Sequence, residues 1–158
     1  MPQNTLRQKL VHVKDRVPKE KKRNLVYGVR CKQEECNEFY VGETQQSLRA
    51  RMNQHRKPSS SSSVPESAVF VHLKETNHTF DTKDVVIIDQ EHRWFERGVK
   101  EAIWERVEHP KLNRKGGLRF LLSHSWDRVV SQIPSRLSRD RKPINRNGGS
   151  AQPDTSQP

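Results

Sequence analysis

A chain of 158 residues with 30 Lys and Arg against 19 Asp and Glu carries a net charge of +11, and only 30% of it is hydrophobic. Those numbers suit one modest domain with polar extensions. No apolar run approaches the roughly 20 residues of a membrane-spanning helix, and the N-terminus lacks the apolar stretch of a secretory signal, which predicts an intracellular protein with no membrane partner. Two cysteines, Cys31 and Cys36, are too few for a disulfide framework, and a close pair in a reducing compartment marks either a metal site or two buried thiols.

The charge is concentrated at the ends. Residues 1–23 hold eight Lys or Arg against two acids and residues 132–158 hold five against two, whereas the 108 residues between hold 17 against 15. A near-neutral body with basic arms is suited to a polyanion, because each cation that neutralises a phosphate releases counterions. The alternative is that the arms only keep the protein soluble.

In chain order, residues 1–23 read as a basic arm or linker, with Pro18 inside a run that ends in Lys21, Lys22 and Arg23. Leu25-Val26-Tyr27-Gly28-Val29 and Phe39-Tyr40-Val41-Gly42 predict a β-hairpin whose connection holds both cysteines. A helix is expected over residues 45–56, with Thr44 as its N-cap and Leu48, Met52 and His55 on one face. The serine run Ser59 to Ser63 between prolines predicts a surface loop, and a second helix follows at about Glu66 to Glu75. Val85-Val86-Ile87-Ile88 reads as a central strand covered on both faces. A third helix is expected over Arg93 to Val107, with Phe95, Val99, Ala102 and Ile103 facing the core, followed by a turn at Gly116-Gly117. Leu118 to Val130 are expected to complete the core and residues 132–158 to form a disordered tail. The fold class is therefore α/β, a three-stranded sheet flanked by helices, in one domain over residues 24–131.

These residues carry a resemblance. Leu25-Val26-Tyr27 and Tyr40-Val41-Gly42 resemble the paired strand motifs of GIY-YIG nucleases, with Leu25 and Val26 standing for Gly-Ile. Arg51-Met52-Asn53-Gln54-His55 resembles the family's Arg-x-x-x-His, Glu101 stands in the third helix where the family keeps its metal-binding Glu, and Asn113 stands where it keeps an Asn. Val17-Pro18-Lys19-Glu20, Val41-Gly42-Glu43-Thr44, Trp94-Phe95 with Lys100-Glu101-Ala102, and residues 113–118 are similar to the C-terminal endonuclease of Penelope-like retroelements, over roughly residues 10 to 120.

The resemblance implies a nuclear DNA endonuclease that nicks by metal-assisted hydrolysis, with DNA as partner and a reverse transcriptase domain in the parent element. It also implies that the sequence is a fragment, a truncated copy or a stand-alone descendant of such an element. The implied site is Glu101 holding Mg2+ (or Mn2+), with Glu105 as fallback, Arg51 on a phosphate, His55 near the site or simply semi-buried, the hydroxyls of Tyr27 and Tyr40 at the centre, and Asn113 bonding the scaffold. Which tyrosine relays the proton is open. Gly42 is expected to let DNA backbone approach, and Arg49, Arg56 and Lys57 on the first helix join Lys21, Lys22 and Arg23 as nucleic-acid contacts. Cys31, Cys36, His72 and His78 offer the four ligands of a structural zinc, a set the Penelope-like endonucleases resemble; the alternative is two buried thiols and two surface histidines. Two other functions compete: a binding module that kept the fold and lost cleavage, and a structure-specific repair or recombination nuclease of the same fold.

Overall fold

The computed structural model describes residues 17–33, 35–114 and 118–137. The expectations for an arm before residue 17, for the turn at Gly116-Gly117 and for a tail after residue 137 lie outside them. A single 3₁₀ turn at Lys19–Lys21 leads into strand β1 (Leu25–Arg30), which is followed by β2 (Phe39–Thr44), helices α1 (Leu48–His55) and α2 (Ala68–Thr76), β3 (Val86–Gln90), helix α3 (Trp94–Glu108) and the short α4 (Asp127–Val130). The strands form one antiparallel sheet in the order β2-β1-β3. The hairpin register pairs Leu25 with Thr44 and Arg30 with Phe39, and a bulge between Val26 and Tyr27 shifts the pairing to β3.

β1 is central and is covered on both faces. Its first five residues are all buried, because alternate side chains enter two different cores. Leu25, Tyr27 and Val29 meet Leu48 and Met52 of α1, Val69 of α2, and Phe80 and Val85. On the other face, Val26 joins Val41, Ile88, Trp104 of α3 and Leu137. The run Val85 to Ile88 is not the central strand. β3 lies at the sheet edge, where of its own residues only Ile88 is buried.

Three other expectations need correction. The N-cap of α1 is Ser47, whose Oγ accepts the Ala50 N–H at 3.3 Å; Thr44 instead ends β2, and its Oγ1 takes the Gln46 N–H. The buried stripe of α3 is not Phe95, Val99, Ala102 and Ile103. Arg97, Gly98, Ala102, Trp104 and Glu108 are buried, whereas Phe95 is exposed. Leu118 to Val130 contribute little to the core beyond Val130, and Leu121 is exposed.

Chain expected to belong to the tail completes the second core. The Glu108 carboxylate accepts the Arg136 and Leu137 N–H groups and the Ser135 hydroxyl, and Leu137 is buried against Gly28. A Cβ at Gly28 would stand 2.5 Å from Leu137 Cδ2, so glycine there makes room for the leucine. Burying such a side chain is worth about 2 kcal/mol.

Candidate active site and metal centre

Tyr27 reaches from the central strand under α1, where Arg51 and His55 stand one helical turn apart. Arg51 Nε donates to the Tyr27 hydroxyl at 2.9 Å, and that hydroxyl faces His55 Nε2 at 2.8 Å. The other ring nitrogen, Nδ1, lies 2.5 Å from Ser67 Oγ. Burial and then the charge of Arg51 push the His55 pKa down to about 3, so the ring is neutral. With the Tyr27 proton directed at Nε2, the arrangement assigns the remaining proton to Nδ1, which donates to Ser67.

Tyr40 joins this group from β2. Its ring lies 6.3 Å from that of Tyr27 and 5.3 Å from that of His55, within electrostatic reach of Arg51. Burial raises the pKa of both phenols, and the charge of Glu101 raises each further, so both stay protonated at neutral pH. Tyr27 is wholly buried, whereas Tyr40 is only partly so. Gly42 does not open the strand to DNA backbone. It is buried beneath Tyr40, and a Cβ there would stand 2.5 Å from the Tyr40 ring.

Glu101 and Asn113 come to the same region because β2 is an edge strand with N–H groups that β1 does not take. Glu101 Oε1 accepts the Glu43 N–H at 3.0 Å. Asn113 takes the Val41 N–H at 2.9 Å and donates Nδ2 to the Val41 carbonyl and to Glu105. Burial, and then the charge of Glu43, push the Glu101 pKa up to about 7. Glu105 is also raised by burial, and its carboxylate is spent on Asn113.

The sequence reading missed Glu43, Arg97, Arg119 and Ser67. Arg97, 1% exposed, donates Nε to Glu43 at 2.5 Å and NH1 to the Glu91 carbonyl, and Arg119 meets Glu43 at 3.0 Å. Glu43 is thus clamped between two guanidiniums, with the Glu101 carboxyl, whose pKa is raised, beside it. The available signal was spacing, since Arg97, Glu101, Trp104 and Glu108 recur along one helical face. Ser67 lies 12 residues beyond His55 across an irregular loop and left no local signal.

The second cluster joins the end of β1 to α2. Cys31 Sγ lies 3.3 Å from His78 Nδ1, Cys36 Sγ lies 3.7 Å from His72 Nε2, and all four donor atoms fall within 4.8 Å of one another. Tetrahedral zinc with ordinary bond lengths sets neighbouring S and N donors about 3.5 Å apart. Glu38 stands 3.2 Å from His72 Nδ1, where it fixes the ring with Nε2 turned to the cysteines. His72 is buried in mid-helix, not a surface residue, and His78 follows the left-handed Asn77 that ends α2.

Of the basic residues, Arg49 and Lys57 are exposed on and after α1. Arg56 lies over the Phe80 ring at 4.7 Å and bonds Thr82. Lys21, Lys22 and Arg23 line a surface groove with Lys19. They are tied to α1 through Lys22, whose carbonyl accepts the Leu48 N–H. No helix among the described residues is long and apolar enough to cross a membrane. Set against known protein families, curated proteins and solved structures, the chain matches none.

Proposed function

We propose that this protein is a metal-dependent DNA endonuclease of the GIY-YIG type, derived from a retroelement, that nicks one strand. The observation that carries the reading is the meeting of two phenols, the half-buried Arg51 guanidinium and a carboxylate of raised pKa around β1 and β2. A partly buried carboxyl of raised pKa suits a divalent cation, and Glu101 has a second oxygen outside its bond to the Glu43 N–H. Magnesium or manganese there would neutralise a phosphoryl oxygen and acidify a water.

The chain's own residues supply the rest. Arg51, held by Tyr27, binds a non-bridging phosphate oxygen and supports the charge that grows there. Tyr40, the phenol that solvent reaches, orients the attacking water. The fully buried Tyr27, with His55 and Ser67 behind it, keeps the guanidinium in place. Phosphorus gains the water oxygen and loses the 3′ oxygen, which leaves as a hydroxyl. Cys31, Cys36, His72 and His78 hold a structural zinc that pins the hairpin to α2, and the protein works in the nucleus, on DNA.

A second reading has its own support. Glu101 and Asn113 close the open edge of β2, a structural duty that a non-catalytic binding module would also need. The test is conversion of supercoiled plasmid to the nicked form with and without magnesium. Magnesium-dependent nicking is expected, and its absence on linear, supercoiled and branched DNA alike would favour the binding module.

A further inference from the structure

The half of α3 that precedes Glu101 carries an aromatic cluster with no duty in the core. Trp94 and Phe95 are 55% and 56% exposed, against 7% for Trp104 on the same helix. They are not loose. The Phe120 ring meets Phe95 at 4.8 Å and Trp94 at 5.7 Å, both edge to face, and the Arg119 guanidinium lies 4.6 Å over Trp94. Gly98, in mid-helix where glycine is a poor helix former, allows this approach. A Cβ there would stand 2.5 Å from the Phe120 ring and 3.0 Å from the Arg119 guanidinium. Trp94, Gly98 and Glu101 share one helical face, and Arg119 spans the interval by pairing with Glu43, whose N–H bonds Glu101.

We propose that Trp94, Phe95 and Phe120 with Arg119 form a stacking platform for unpaired nucleobases beside the cleavage site. Aromatic faces combined with arginine are the usual ingredients for gripping single-stranded nucleic acid, because every base offers a π-face and every phosphate a charge. The acids around the cluster do not oppose a polyanion. Glu96 is paired with the exposed Arg93 and Glu43 with Arg97 and Arg119, in a chain of net charge +11. Seven residues of helix place Trp94 about 10 Å from Glu101, some three nucleotides at roughly 3.4 Å each. Bases in intact duplex keep their faces stacked on each other, so the preferred substrate is DNA with unpaired nucleotides about three positions from the cut. This proposal rests on the nuclease reading for the placement of the cut.

The test is anisotropy titration of the whole protein, free of divalent cation, on an intact duplex and on the same duplex with a gap of about three nucleotides. The expected result is roughly tenfold tighter binding to the gapped DNA, a preference that Trp94→Ala with Phe95→Ala abolishes with less than about twofold change on intact duplex. Trp94→Phe, which keeps a stacking face, should retain most of it. An equal affinity for both DNAs, or an equal loss on both in the double variant, would overturn the platform. So would a double variant that keeps its gap preference and changes only the protein's sedimentation, since the patch would then join copies of the chain. A gap preference without nicking under magnesium would remove the nuclease reading and keep the platform, whereas nicking without gap preference would do the reverse.

Discussion

The Arg51 and His55 pair was legible through its resemblance to an Arg-x-x-x-His pattern on one helix, but the state of the histidine was not, because Ser67 and the depth of Tyr27 become neighbours only in the fold. A histidine whose pKa falls from 6.5 to about 3 on folding takes its proton first in the unfolded chain. Its contribution to stability is therefore complete above pH 6.5 and is lost as pH falls towards 3. His55→Gln, which cannot titrate, should be less stable at neutral pH and should lose less stability on acidification to about pH 5; urea unfolding at both pH values decides it, and parallel losses would contradict it. The two tyrosines separate in the same way. Tyr40→Phe should slow nicking at least tenfold with little change in melting temperature, since a partly exposed hydroxyl is lost. Tyr27→Phe should cost about 1–3 kcal/mol of stability as well, because Arg51 Nε and His55 Nε2 lose their common partner.

Elements were read well where their apolar pattern had a single cause. The hairpin, with its β-branched and aromatic runs, is such a case. β1 and β3 were exchanged in rank because Leu25-Val26-Tyr27-Gly28-Val29 contains a glycine and a tyrosine, whereas Val85 to Ile88 is uniformly branched; burial is set by Leu137 seating on Gly28, which no local pattern announces. On α3, periodicity picked apolar residues and missed that the inward face also carries charged ones beside Ala102 and Trp104. Arg97, Glu101 and Glu108 turn towards Glu43, the β2 edge and residues 135–137. The cap of α1 was misplaced for a simpler reason: Thr44 and Ser47 are both good caps, and β2 extends through the first. Ser47→Ala should therefore destabilise the protein by about 1 kcal/mol through the lost Ala50 N–H bond, read as a shift in the urea midpoint without change of slope. No shift would mean that the cap is idle.

Across the whole molecule, the Cys and His cluster is distinct from the group around Tyr27 and Glu101. The Cys31, Cys36, His72 and His78 set ties the hairpin to α2, the element that also supplies Ser67 as its N-cap position. If zinc fills it, Cys36→Ser should lower the melting temperature by on the order of 10 °C, and a chelator should bring the parent down to the variant. Purified protein without zinc, and equal melting of the two, would leave four unmetallated side chains. The cysteines and histidines were legible as a set, but only the fold brings the second histidine, two residues past α2, to Cys31. The account as a whole depends on Glu101 being the cation's ligand and not merely a plug in the β2 edge. The most direct test compares the parent and Glu101→Ala for magnesium-dependent nicking of supercoiled plasmid and for DNA binding in the same preparation. The prediction is that nicking disappears while binding stays equal or strengthens, because a carboxylate beside the phosphates has gone. Nicking at the parent's rate by Glu101→Ala would contradict the assignment.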